Sequence, residues 1–392
     1  MKSTVFFVLF LMCTAMSFAG NVFVDNISLG SQDINANTYQ VNFDVSWENS
    51  WRTSSFESNY DAVWLVVKYR EDGSTDWLHA DVRLSGSVLP TGSDADFVDG
   101  IGLFLFRDTD GIGDVNFQNV SIRWNYGNAF PDDQILEICV LAIEMVYIPE
   151  AAFELGDIAP FSESNFQAGF TFTPYEMASE AALTLGGISA TNLSTVTTAS
   201  QVDDDFDATM TQNLPAAYPK GFNDFYIMKY ETSEQQYIDF LNRLNPDAAL
   251  NRYPDRFGFA GHGINDDGIA SRPYTTNAPN QACGWLEWAD IAAYADWIGL
   301  RPMSELEYEK AARGTRSAVP NEGAWGTPFV GMNTFNITNV GEPNSMITNL
   351  PFDVGNANTS TQANRPLRCG IFAASAINKT REETGGSYYG VM

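Results

Sequence analysis

"RPMSELEYEKAARG", residues Arg301 to Gly314, reads as one short helix with its start and stop written in. Ser304 stands at the N-cap, and Glu307 three residues on completes a capping box that satisfies two orphan backbone N–H groups. Leu306, Tyr308, Ala311 and Ala312 supply apolar contact, and Gly314 offers a left-handed C-cap. Glu305 and Glu309 share a helix face that Glu307 does not, and early acids complement the helix dipole. The spacing therefore points to a cap and a solvated face, not to paired-carboxylate catalysis. This reads as a scaffold helix, and the rest of the chain must show what it packs against.

The chain has 392 residues, 44% of them hydrophobic, enough to bury two cores. Its formal net charge of −28 repels phosphate backbones, so a nucleic-acid partner is not expected. Only 18% of residues are charged, so the imbalance comes from scarce Lys and Arg more than from acidic runs. The opening "MKSTVFFVLFLMCTAMSFAGN" has Lys2, an apolar run from Val5 to Met12 and the small-x-small step Ser17-Phe18-Ala19. This is the pattern of a secretory signal over residues 1–19, cleaved after Ala19. A lipid anchor at Cys13 is the lesser alternative, since Leu11 and Met12 are bulky neighbours for it. No later segment is apolar enough for a membrane helix, so the expected location is secreted, periplasmic or cell-surface.

From residue 20 to 144 the text is strands. "YQVNFDVSW" alternates, with Tyr39, Val41, Phe43, Val45 and Trp47 on one face. "AVWLVVKYR" is a continuous apolar run suited to a central strand, and "VSIRWNY" alternates again through Val120, Ile122, Trp124 and Tyr126. About seven strands in about 120 residues predict an all-β, Ig-like or fibronectin-like sandwich. Residues from about 180 to 218 are small, polar and irregular, and read as an insertion with little order. The acids Asp203, Asp204, Asp205 and Asp207 within it read as a solvated face before a calcium loop.

Order returns at "FYIMKYETSEQQYIDFL", a strand running into a helix capped by Ser233 and Gln236, with Tyr237, Phe240, Leu241 and Leu244 as its buried stripe. "GWLEWADIAAYADWIGL" predicts another helix, with Trp288, Ile291, Ala292 and Ala295 in register. After the signal, Cys139, Cys283 and Cys369 remain, an odd number that allows at most one internal disulfide. Cys139 lies in an apolar run and reads as an inert buried thiol, while Cys283–Cys369 pairing stays open. Only two histidines occur, His79 and His262, so a histidine-built metal site is not expected.

Taken together, "MVYIPEAAFELGD", "YIMKYETSEQQYIDFL", "WADIAAYADWIGLRPMSELEYEKAARG" and "REETGGSYYGVM" resemble the sulfatase-modifying-factor family, whose founding activity is formylglycine generation. The last part of the third segment is similar to the family's Arg-Leu-Pro-Thr-Glu-x-Glu-Trp-Glu-x-Ala-Ala-Arg-Gly signature. Here Pro302 and Met303 stand for Leu-Pro, Ser304 for Thr and Tyr308 for Trp. The resemblance implies an α+β, C-type-lectin-like domain over residues 145–392. It also implies copper-dependent oxidation of a substrate cysteine to formylglycine, through paired cysteines placed downstream of Met392. The domain is therefore expected to be incomplete at its C-terminus, with the copper ligands outside this chain. The same resemblance implies structural calcium, with Asn358 of "GNANTS" in the ligand loop, against an ordinary Asn-rich turn as the equal alternative. "DTDGIGD" (Asp108, Asp110, Asp114) reads as a hairpin turn before a calcium loop, lacking the distant bidentate Glu.

Two functions remain in view. One is a non-catalytic binding or structural module whose partner is a protein or surface polymer; the N-terminal sandwich favours it. The other is the copper-dependent oxidation itself, in a full-length parent. The sequence after Met392 discriminates between them.

Overall fold

The computed structural model describes residues 22–157, 166–195, 206, 209–254, 263–268, 273–332, 334–342, 344–357, 366–375 and 380–392. The segment expected to be a signal lies outside them, as do Asp203, Asp204, Asp205, Asp207 and Asn358.

The first part of the chain holds β1 (Phe23–Asp33), β2 (Thr38–Arg52), β3 (Asp61–Glu71), β4 (Leu78–His79), β5 (Val82–Val88), β6 (Ser93–Val98), β7 (Gly102–Arg107), β8 (Gly111–Asn125) and β9 (Leu136–Ile148). Nine strands thus stand where about seven were predicted, the short β4 among them. They form a four-stranded sheet, β1-β2-β8-β5, facing a second sheet whose order begins at β9 and continues β3-β7-β6. The alternation read in β2 and β8 holds: Val41, Phe43, Val45, Trp47, Val120, Ile122 and Trp124 are all buried between the sheets.

The continuous apolar run of β3 has a specific cause. Val63, Leu65, Val67 and Tyr69 enter the core between the sheets, while Ala62, Trp64 and Val66 enter a second core on the opposite side. β7 and β9 divide in the same way: Leu103 and Leu105 against Phe104 and Phe106, Val140 and Ala142 against Cys139, Leu141 and Ile143. A strand covered on both faces has no polar side to alternate with.

The cover on that second side comes from the later chain. The next strands are β10 (Phe153–Leu155), β11 (Phe166–Ala168), β12 (Tyr175–Met177), β13 (Leu183–Leu185), β14 (Leu193–Thr195), β15 (Gln212–Leu214) and β16 (Phe225–Met228). β16 pairs with the end of β9, Phe225 opposite Ile148 and Met228 opposite Met145, so the second sheet reads β16-β9-β3-β7-β6. The boundary expected between residues 144 and 145 falls inside β9, and the two halves share a sheet across it.

Helices α1 (Glu234–Leu241), α2 (Pro246–Arg252), α3 (Trp288–Trp297) and α4 (Glu305–Arg313) follow. Tyr237, Phe240 and Leu241 of α1 pack with Tyr294 of α3 on Trp64, Phe104 and Leu141. Trp64 Nε1 donates to the carbonyl of Ile298 at 2.8 Å, fixing the end of α3 to the sheet.

Three expectations are corrected. The segment expected to be irregular over about 180–218 carries β13, β14 and β15. Its leucines are the reason: Leu185 and Leu193 enter a small core with Phe153, Leu155, Met177 and Leu306. On α3, Trp288 is 69% exposed and Ile291 41% exposed, while Tyr294 and Ile298 are buried. The helix is turned about its axis from the face that its apolar letters suggest, because Tyr294 packs edge-on to Phe240 at 5.8 Å. Tyr308 also lies half in solvent, not in the core. Among the described residues no helix is long and apolar enough to cross a membrane.

Candidate functional site

α4 has the capping box its sequence predicts, while Gly314 ends it at φ +70° and ψ −146°, outside the left-handed helical cap that was expected. Ser304 Oγ accepts from the Glu307 N–H at 3.1 Å, and Glu307 Oε2 accepts from the Ser304 N–H at 2.9 Å. Arg301 clamps the same carboxylate with two contacts, 2.5 and 2.8 Å, a charge-assisted pair that holds the entry turn. Gly314 has φ +70°, and an added Cβ would stand 1.9 Å from the Tyr388 ring, so glycine is required there both conformationally and sterically.

The helix has two working faces. Leu306 and Ala311 point into apolar cores, and the fully buried Lys310 Nζ donates to the carbonyls of Phe222 and Asn223 at 3.0 and 3.4 Å. Burial lowers the Lys310 pKa to about 8. Glu305, Tyr308, Glu309 and Ala312 fall at i, i+3, i+4 and i+7, a single stripe on the opposite face. That stripe lines a cavity of about 360 Å³ whose far wall is Gly156, Asp157 and Phe166, with Glu322 and Gly323 beside them.

Arg313 organises the floor. Its Nη1 donates to Glu309 Oε1 at 2.7 Å and to the Glu154 carbonyl at 2.8 Å, and its Nε donates to Glu322 Oε1 at 2.5 Å. Gly156 N–H donates to the same Glu309 oxygen at 2.5 Å. Gly156 has φ +94°, and a Cβ there would meet the Phe166 carbonyl at 1.7 Å. The backbone can make this close turn only with glycine. Burial raises the Glu309 pKa above the usual carboxylate range, against the pull of Arg313. Glu309 and Glu322 pair with the Arg313 guanidinium, Asp157 and Glu305 add two further carboxylates to the lining, and Tyr308 stands at the rim, 51% exposed. Such a cleft suits a cation with an apolar stem.

The other predicted residues fall elsewhere. Cys283 and Cys369 are free thiols, and Cys139 Sγ receives a contact from Arg243 Nη2 at 3.2 Å. Burial pushes the thiols of Cys283 and Cys369 up, and Cys369 Sγ lies 3.3 Å from the Glu231 carbonyl. Asp110 and Asp114 serve as turn acceptors, for Ser54 N–H at 3.0 Å and Asn49 N–H at 3.0 Å. No group of three or more His, Cys, Asp or Glu that could hold a metal occurs among the described residues. Glu305 and Glu309 do share a face, as read, but that face lines a cleft. Asp157, Phe166 at the start of β11, and Glu322 from the loop after α4 were not anticipated, because only the fold brings them to this face. The stripe 305/308/309/312 was the one signal present in the sequence.

Residues 194–367 match the sulfatase-modifying factor enzyme 1-like domain. No curated protein and no solved structure matches the chain. The matched stretch takes in β16 and the helices α1 to α4, and is narrower than the resemblance over 145–392. The chain therefore carries a domain of the sulfatase-modifying factor family.

Proposed function

We propose that this chain is an exported, non-catalytic binding or structural protein, in which the α4 cleft contacts a cationic segment of a polypeptide partner. On this reading the first two-sheet unit is Ig-like or fibronectin-like, and the later unit has the C-type-lectin-like architecture that the family resemblance implies. The observation that carries it is the stripe Glu305, Tyr308, Glu309 and Ala312 lining an acidic cavity with a half-exposed aromatic at its rim. A Lys or Arg side chain entering it would find carboxylates for its head and the Tyr308 face for its stem.

The alternative, copper-dependent oxidation of a substrate cysteine, needs paired thiolates to hold Cu(I). Cys283 and Cys369 do not fit that part: both are free, and burial holds both as thiols. No step through copper follows from them.

Calcium belongs to the same proposal. Beside the expected Asn358, Asn356 is 1% exposed. Its Nδ2 donates to the Glu383 carbonyl at 2.8 Å, and its Oδ1 has no hydrogen-bond partner. A buried, unpaired amide oxygen in an Asn-rich loop is the type of donor calcium takes, so Asn356 and Asn358 are the residues proposed to hold it.

The cleft is tested by calorimetric titration with an Arg-rich peptide. Wild type is expected to bind with an affinity that falls with salt, and Glu305→Lys and Tyr308→Ala to weaken it by about tenfold, or about 1.4 kcal/mol. Equal affinity in all three proteins overturns the assignment.

A further inference from the structure

The most unusual chemistry in the molecule lies away from the cleft, where the two halves join. Asp61 opens β3, Glu144 is near the end of β9, and Lys229 follows β16 on the strand that pairs with β9. The Lys229 N–H donates to the Glu144 carbonyl at 3.0 Å, so the two side chains lie across from one another, and Asp61, on the other side of β9, is diagonal to Glu144. Lys229 Nζ is 2.9 Å from Glu144 Oε2 and 3.2 Å from Asp61 Oδ2. All three side chains are at most 1% exposed.

We propose that these residues form an intramolecular isopeptide bond between Lys229 Nζ and Asp61 Cγ, with Glu144 as the proton carrier. The surroundings divide the roles. Asp61 is held by three further donors: Trp47 Nε1 at 3.1 Å on Oδ2, and Ser50 Oγ at 2.7 Å and Trp51 N–H at 3.0 Å on Oδ1. Donors aimed at both oxygens polarise the carboxyl carbon and receive the charge that develops on attack. Glu144 has no such cage, and its Oε1 is buried without a hydrogen-bond partner, free to carry a proton. Trp51 covers the ammonium at 4.8 Å and helps to exclude water, which favours condensation over hydrolysis.

The step balances without any co-reactant. The two carboxylates keep the Lys229 ammonium charged against the cost of burial, so its proton must be passed within the triad. Burial raises the Glu144 pKa to about 7, nearer to that of the ammonium than an ordinary carboxylate's, so Glu144 holds the proton transiently while the amine attacks. The freed amine attacks Asp61 Cγ, and the tetrahedral carbon gives up one oxygen. That oxygen leaves as water with two of the three ammonium hydrogens, relayed through Glu144, which ends as it began. The product amide would join residues 168 positions apart and close the chain across the shared sheet.

The test is mass spectrometry of the full chain, denatured, with peptide mapping. Wild type is expected to be one water lighter than its sequence, about 18 Da, with a branched peptide joining Asp61 to Lys229. Lys229→Arg and Glu144→Gln are expected to restore the full mass, and wild type to run faster than either on a denaturing gel. Wild type at full mass, with separate Asp61 and Lys229 peptides, overturns the proposal and leaves a buried ion pair. A branch at Glu144 in place of Asp61 overturns it equally. The wild-type measurement decides even where a variant fails to fold.

Discussion

Truncating Phe240 to Ala tests whether the second core makes the β-rich first part and the helices one cooperative body. Phe240 is 1% exposed, and its ring lies 5.5, 5.8 and 5.3 Å from those of Tyr237, Tyr294 and Trp297. Removing a buried Phe costs roughly 3–5 kcal/mol, and three lost aromatic pairs place this site toward the upper part of that range. With an unfolding entropy of roughly 2.1 cal/mol/K per residue, about 4 kcal/mol lowers Tm by about 5 °C for a chain of this length. The assay is thermal unfolding with hydrogen exchange read on two regions, β2/β8 and α1/α3. Because β3, β7 and β9 contribute to both cores, protection in the two regions is expected to fall together. Unchanged protection in β2 and β8 while α1 and α3 open earlier would refute the reasoning.

Three further outcomes follow from local chemistry. Ser304→Ala is expected to cost about 1 kcal/mol in urea unfolding by removing one half of the capping box, with α4 losing exchange protection first. Lys310, with its pKa lowered by burial to about 8, binds fewer protons folded than unfolded once the pH passes 8. Stability is therefore expected to rise by about 1.5 kcal/mol between pH 8 and 9.5, and Lys310→Met to flatten that rise in denaturant titrations at each pH. Chelation with EGTA is expected to lower Tm and added calcium to restore it, with Asn356→Ala abolishing the difference.

How much of this was legible depended on the range of the interaction concerned. The caps of α1 and α4 were readable because Ser233 with Gln236, and Ser304 with Glu307, act within one turn. The alternation of β2 was readable because one of its faces enters a core and the other does not. The second role of β3 was not, since a run apolar on both sides does not say what covers the second side. α3 shows the limit from the other direction. Its letters offer Trp288, Ile291, Ala292 and Ala295 as one stripe, but Asp290 pairs with Arg252 at 3.2 Å and Tyr294 packs on Phe240. Those partners come from α2 and α1, and they set the rotation of the helix. The cleft was illegible for the same reason, because Asp157 and Glu322 reach α4 only through the fold.

The departures of α4 from the family signature can now be placed on its two faces. Ser304 for Thr keeps a hydroxyl at the N-cap, where it accepts the Glu307 N–H as a cap must. Of the residues facing the interior, Glu307 and Ala311 keep the signature's residues, and Leu306 and Lys310 fall where the signature leaves the residue open. Met303, which departs, is 52% exposed ahead of the helix, and Tyr308, which also departs, stands at the rim of the cleft. A change on the buried face would leave a cavity or strain a neighbour, at a cost of roughly 1–3 kcal/mol or more. A change at the rim alters only what the cleft meets. Tyr308 differs from Trp in area and in its hydroxyl, the two properties by which a rim aromatic selects its ligand. On the proposed reading residues 301–314 are both scaffold and site: the inward face fixes where the helix lies, and the outward face is free to differ.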